Sequence, residues 1–167
     1  MSFDLGTRTE LVPNGDRFSR RDTARAMSQE NVERTRRIYE AMNTGDADAL
    51  VELCDPSIEV HSVFAAVGGA VYHGRDGARV WVRELQETFG GRFRVEVEAY
   101  FDLGEHTVAF GALHGRGGQS GAEVVMAAAG VTRWRDGLCV SQKAYARRDD
   151  ALRELGVSED ALEPIAP

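Results

Sequence analysis

Four alternating stretches, near residues 92–102, 106–115, 121–135 and 138–146, follow one another with only glycine-bearing turns between them. The turns fall at Gly104, from Gly115 to Ser120, and at Asp136-Gly137. Strands so close in sequence have no room for a helical crossover, so each must pair antiparallel with its neighbour. Asp-Gly is the strongest of these signals, because both central residues of a tight hairpin turn need positive φ. Upstream lie three stretches with helical spacing. Helices first and consecutive hairpins afterwards predict an α+β fold with an antiparallel sheet, and argue against a doubly wound parallel one.

The helical half is sharply punctuated. Ser28 can accept from the free amides of a first turn, with Glu30 suited to the positive helix end, and Val32, Thr35, Ile38, Tyr39 and Met42 then share one face. Asn43-Thr44-Gly45 closes that helix. Asp46 caps a short second one carrying Leu50, Leu53 and Cys54, which Asp55-Pro56 stops. An alternating strand, SIEVHSVF, follows, with Ile58, Val60 and Ser62 on one side and Glu59, His61 and Val63 on the other. From about residue 76, Ala78, Trp81, Val82, Leu85 and Phe89 mark a third amphipathic helix that ends at Gly90-Gly91. A last short helix spans 149–155 and closes at Gly156.

At 167 residues, 43% apolar, the chain fits one domain with a core of its own. A net charge of -7 repels phosphate backbones and anionic membranes, so neither nucleic acid nor membrane is an expected partner. Cys54 and Cys139 stand in no metal or redox spacing and read as reduced, buried thiols of a cytoplasmic protein. No apolar run is long enough to span a bilayer, and the first residues lack the apolar segment of a secretory signal. Residues 1–27 show neither helical nor strand period and read as a tail or appended leader, with Met27 an alternative start; 157–167 read as a second tail. The gaps between the four histidines match no metal-ligand pattern, and no cofactor motif is present. The glycine-rich GRGGQSG lacks the lysine and strand-to-helix context of a phosphate loop and reads as a hairpin connection.

The order YEAMNTGDADALVELCDPSIEVHS, HGRDGARVWVREL, TRWRDG and AYARRDDALRELG resembles the SnoaL-like polyketide cyclase branch of the nuclear transport factor 2-like, ketosteroid isomerase-like superfamily, over residues 28–156. The resemblance implies a single cone-shaped domain, a curved sheet wrapped around the three helices of the first half, with a small-molecule pocket inside. It places His61 where related isomerases carry a carboxylate general base, and an imidazole can act as a base at neutral pH. A satisfied core histidine is the competing reading.

By the same resemblance, Val108, Phe110, Ala112 and His114 face the concave side, making His114 a second polar group able to orient a carbonyl or relay a proton; a solvated strand end is its alternative. Ala127, Ala129 and Val131 on the next strand, Gln142 on the last, and Tyr39 and Trp81 from the helices are the expected substrate contacts, although small residues and aromatics at such positions also serve plain packing. Glu59 and Glu123 lie near the ends of the expected cavity, while His73 and His106 carry no expected role. The tyrosine and protonated acid with which related isomerases hold an enolate correspond to Ile38 and Val131, so steroid isomerisation of that kind is not expected. The strand from 121 to 135 is apolar on both sides, which predicts a homodimer through the convex sheet with Trp134 and Met126 in contact. Three functions follow as expectations: an isomerase or aldol-type cyclase with His61 as base on a carbonyl substrate, a binding module for an apolar metabolite, or a dimerisation scaffold.

Overall fold

The computed structural model describes residues 20–64, 71–117 and 120–167. In chain order it contains α1 (Arg20–Thr44), α2 (Ala47–Glu52), β1 (Cys54–His61), β2 (Val71–His73), α3 (Gly74–Thr88), β3 (Arg94–Leu103), β4 (His106–Arg116), β5 (Glu123–Arg135), β6 (Leu138–Tyr145) and α4 (Arg148–Leu155), then a 3-10 turn at Glu159–Ala161. The six strands form one curved, unclosed sheet in the order β2-β1-β6-β5-β4-β3. Every adjacent pair is antiparallel except β1 and β6, which run parallel. That exception is a tertiary decision: β1 and β6 are separated by a helix and four strands, so no turn dictates their relative direction.

The punctuation read from the sequence operates through side chains. The Asp46 carboxylate accepts from the Ala49 amide at 3.0 Å, capping α2, and Gly45 takes the left-handed conformation (φ 72°) that ends α1. Asp136 and Gly137 both have positive φ (51° and 76°), as a tight β5–β6 hairpin requires. Asn43 does more than end a helix. Its amide donates to the Val95 carbonyl (2.9 Å) and accepts from the Val95 amide (2.7 Å), pairing with β3 as a strand residue would.

Two cores lie on opposite faces of the sheet. The inner one joins Ile38, Tyr39 and Met42 of α1 to Trp81, Val82 and Leu85 of α3 over Ile58, Val60, Ala109, Leu113, Ala128 and Trp134. The outer one packs Phe101, Val108, Phe110, Ala129 and Val131 against Ala151 and Leu152 of α4, with Leu155, Val157 and Leu162 at its margin. Residues 157–167, read as a tail, are therefore tied to the domain: Val157 and Leu162 border the outer core, and at the β3 edge Ile165 and Tyr100 exchange backbone hydrogen bonds of 2.7 and 2.9 Å. α1 likewise begins at Arg20, inside the stretch read as an N-terminal tail.

The outer core corrects the parity expected for two strands. Val108, Phe110, Ala129 and Val131 belong to the convex side, and Ala109, Leu113, Ala128 and Trp134 to the concave side. A strand apolar on both faces does not announce which face is inner, and here the chain's own α4 and C-terminal segment cover the convex one. Trp134, expected in a dimer contact, is buried and donates its indole N–H to the Thr107 hydroxyl at 3.1 Å; Met126 packs against the same inner core.

Candidate functional site

α1 and α3 cross the concave face, and the small residues Ala109, Gly111, Ala128 and Gly130 of β4 and β5 leave the sheet without side-chain bulk beneath them. The result is a cavity of about 40 Å³, walled also by Met42, Val95, Val97 and Leu113. At roughly 10–15 Å³ per water it has room for about three waters. Sites for drug-sized ligands run about 300–1,000 Å³, so a large occupant would have to part the helices from the sheet.

A short polar line crosses this apolar wall. The Thr132 hydroxyl donates to Gln142 Oε1 (2.6 Å), which fixes the amide so that Gln142 Nε2 reaches the Tyr39 hydroxyl oxygen at 3.5 Å. Thr132 and Gln142 are cross-strand register partners on β5 and β6, so the sheet itself sets this contact. Burial pushes the Tyr39 phenol well above its ordinary value of 10.0, outweighing the opposing Gln142 hydrogen bond. The phenol is therefore protonated, and while its oxygen accepts from Gln142, its own proton has no acceptor among the described residues. Trp81 is only 4% exposed, and its indole Nε1 is the one buried side-chain polar atom without a partner among the described residues. Tyr39 and Trp81, each with an unspent donor, both line the cavity, and none of the described residues lining it is charged.

Of the residues expected to meet substrate, Tyr39, Trp81, Phe110, Ala129 and Gln142 stand on this wall, and Ala127 and Val131 do not. Phe110 and Ala129 have their side chains in the outer core, where the Arg148 guanidinium lies 4.8 Å from the Phe110 ring centre. Ala127 is exposed. The expectation that the imidazoles of His61 and His114 look into the cavity is not met. On β1 the inward residues are Ile58 and Val60, and His61 shares the other side with Glu59, its Nε2 3.6 Å from Glu59 Oε2. The second Glu59 oxygen is 3.6 Å from His73 Nδ1. His114 lies beside Glu96, 3.4 Å away, in a separate groove.

Sequence reading missed Thr132 as the group that orients Gln142, and Gly130 as the gap that admits the Tyr39 hydroxyl. Their signal was the polar pair one strand apart, Thr132 and Gln142, which shows which side of β5 is inward once the register is known. Ile38, matched by position to the isomerase tyrosine, is buried in the inner core, and its neighbour Tyr39 presents the hydroxyl instead.

Among the described residues no group of three or more histidine, cysteine, aspartate or glutamate side chains is placed to hold a metal ion, and no helix is long and apolar enough to cross a membrane. Both cysteines are free and buried.

Solved structures of the same fold carry diverse names and ligands. A protein with a ketosteroid isomerase-like fold from Catenulispora acidiphila DSM 44928, in complex with trimethylamine, superposes with a TM-score of 0.62 at 17% identity, covering 77% of this chain and 95% of the other. TerC, co-crystallised with polyporic acid, gives 0.61 at 19% identity over 75% and 97%. A protein described as a SnoaL-like polyketide cyclase from Jannaschia sp. CCS1 gives 0.61 at 21% identity over 78% and 90%. At these identities the likeness is one of fold. No curated protein matches the chain in sequence. The family model for the SnoaL-like domain matches residues 35–142, from the middle of α1 to the glutamine of the polar line, and the chain belongs to that family.

Proposed function

We propose that the cavity binds a small, uncharged, largely apolar molecule through one acceptor atom, such as a carbonyl oxygen, to which Trp81 Nε1 and the Tyr39 hydroxyl donate. The observation that carries this reading is the unpartnered Trp81 indole on an apolar cavity wall. A buried donor left unpaired costs about 1–3 kcal/mol, and a bound acceptor recovers it. With Tyr39 protonated and no charged side chain on the wall, a charged ligand would lose its hydration without compensation.

Membership of the SnoaL-like family, and neighbours of this fold described as a polyketide cyclase or crystallised with polyporic acid, support small-molecule binding of the cyclase and isomerase kind. Polarising a carbonyl is the first half of such chemistry. The second half needs a base, and His61 faces away from the cavity, so its placement favours binding over proton abstraction by that residue.

The chain has only two tryptophans, and the other indole is already hydrogen-bonded, to Thr107. In nitrogen-15 spectra of the labelled protein titrated with small cyclic ketones and quinones, the Trp81 indole resonance should move while that of Trp134 stays. If neither resonance responds across the panel, or Trp81→Phe binds the ligand equally well, the reading is wrong.

A further inference from the structure

A second concavity, of about 450 Å³, opens where the turn after α3 meets the β4–β5 hairpin. Unlike the inner cavity, it falls within the roughly 300–1,000 Å³ of small-molecule sites. Arg92, Arg94, Arg116 and His114 line it, in a chain whose net charge is -7.

The local carboxylates do not balance the three arginines. Glu96 serves both Arg94 (3.2 Å) and His114 (3.4 Å), and Glu123 stands 3.8 Å from Arg116. Two carboxylates face three guanidiniums, and Arg92 has no ion-pair or side-chain hydrogen-bond partner among the described residues. Ion pairs this exposed yield readily to an incoming anion. Guanidinium groups match the paired oxygens of a carboxylate or phosphate.

The groove is also greasy on one side. Val125, 65% exposed, lines it on the same side of β5 as its register partner His114, while Val124, 39% exposed, points to the other side of the strand. Phe93, buried, forms part of its wall.

We propose that this groove binds a small amphipathic anion: an oxyanion group, carboxylate or phosphate monoester, held by Arg92 and Arg116, with an apolar tail over Val125. The site is separate from the inner cavity, although the two share strands. β3 gives Val95 to the cavity and Arg94 to the groove, and β4 gives Leu113 and His114 in the same way.

Octanoate, octyl phosphate and octanol, titrated into the full chain at low salt and followed by backbone amide shifts, test the assignment. The two anions should move the Val124 and Val125 amides saturably, more weakly as salt rises, and the tighter of the two identifies the oxyanion. The Arg92→Ala/Arg116→Ala variant, altered only at exposed side chains, should weaken both by at least about tenfold. Octanol binding as tightly as the anions would overturn the proposal, as would anion affinity unchanged in the double variant. Inorganic phosphate binding as tightly as octyl phosphate would overturn the apolar half. Because the Trp81 indole reports on the cavity alone, failure here leaves the cavity reading intact, and the reverse also holds.

Discussion

The hydroxyl of Tyr39 occupies the space that a β-carbon on residue 130 would take, so Gly130 is the opening in β5 through which α1 delivers its phenol to the cavity wall. Gly130→Ala should destabilise the fold by about 1–3 kcal/mol through overpacking. Tyr39→Phe alone should cost about 1 kcal/mol, the contact with Gln142. Combined, they should cost less than their sum, because removing the hydroxyl makes room for the methyl. Denaturant melts of the four species decide the matter: additivity within about 0.5 kcal/mol would mean the two residues do not collide.

All four tyrosines have phenols held above their ordinary value of 10.0. Burial does this for Tyr39, Tyr100 and Tyr145, and a hydrogen bond to Glu84 pushes Tyr72 up to about 12. A folded-state pKa raised above the unfolded one favours the protonated phenol. Its contribution to stability is complete below pH 10 and is lost as pH rises through the folded-state values. Tyrosinate absorbance should therefore stay low past pH 10 and rise together with alkaline unfolding, and Tyr39→Phe should move that unfolding to higher pH. A tyrosinate signal already half complete at pH 10 in the native protein would contradict the burial argument.

His61 pairs with Glu59 on the side of β1 away from the cavity. Replacing it with glutamine should leave the ligand-induced shift of the Trp81 indole, and the affinity read from it, unchanged within about twofold. A loss of ligand affinity, or of any turnover found on a carbonyl substrate, would return the imidazole to the site.

Trp134→Phe removes a buried hydrogen bond and leaves the Thr107 hydroxyl without its donor, so it should cost at least about 1 kcal/mol. It should not alter molecular mass in solution, because the ring is inside the inner core. The homodimer expected through the convex sheet stands as a proposal that this residue does not carry. Light scattering of the wild type and the variant separates the two effects: a change of mass with no change of stability would put Trp134 back at an interface.

The helix punctuation and the hairpin at Asp136-Gly137 were legible in the chain. Each rests on chemistry within a few residues: a cap, a positive φ, or a period of 3.6 or 2. The faces of β4 and β5 were not legible, since Val108 and Phe110 alternate with Ala109 and Leu113 and either set could have been inner. The side chosen for His61 failed for a related reason. Alternation along β1 correctly separates Ile58 and Val60 from Glu59 and His61, but the inward side is the one that α3 covers.

The order of amino acids by itself determined α2, α3, α4 and the run of strands from β3 to β6, because those depend on local backbone preferences and on repeating apolar spacing; the start of α1 at Arg20 and the strand β2 were not read from it. Only the tertiary structure decided that β1 joins β6 in parallel, that α4 and the C-terminal segment cover the convex sheet, and hence which residues border the cavity. Which of two apolar faces turns inward is settled by what packs against each, and those partners lie far away along the chain.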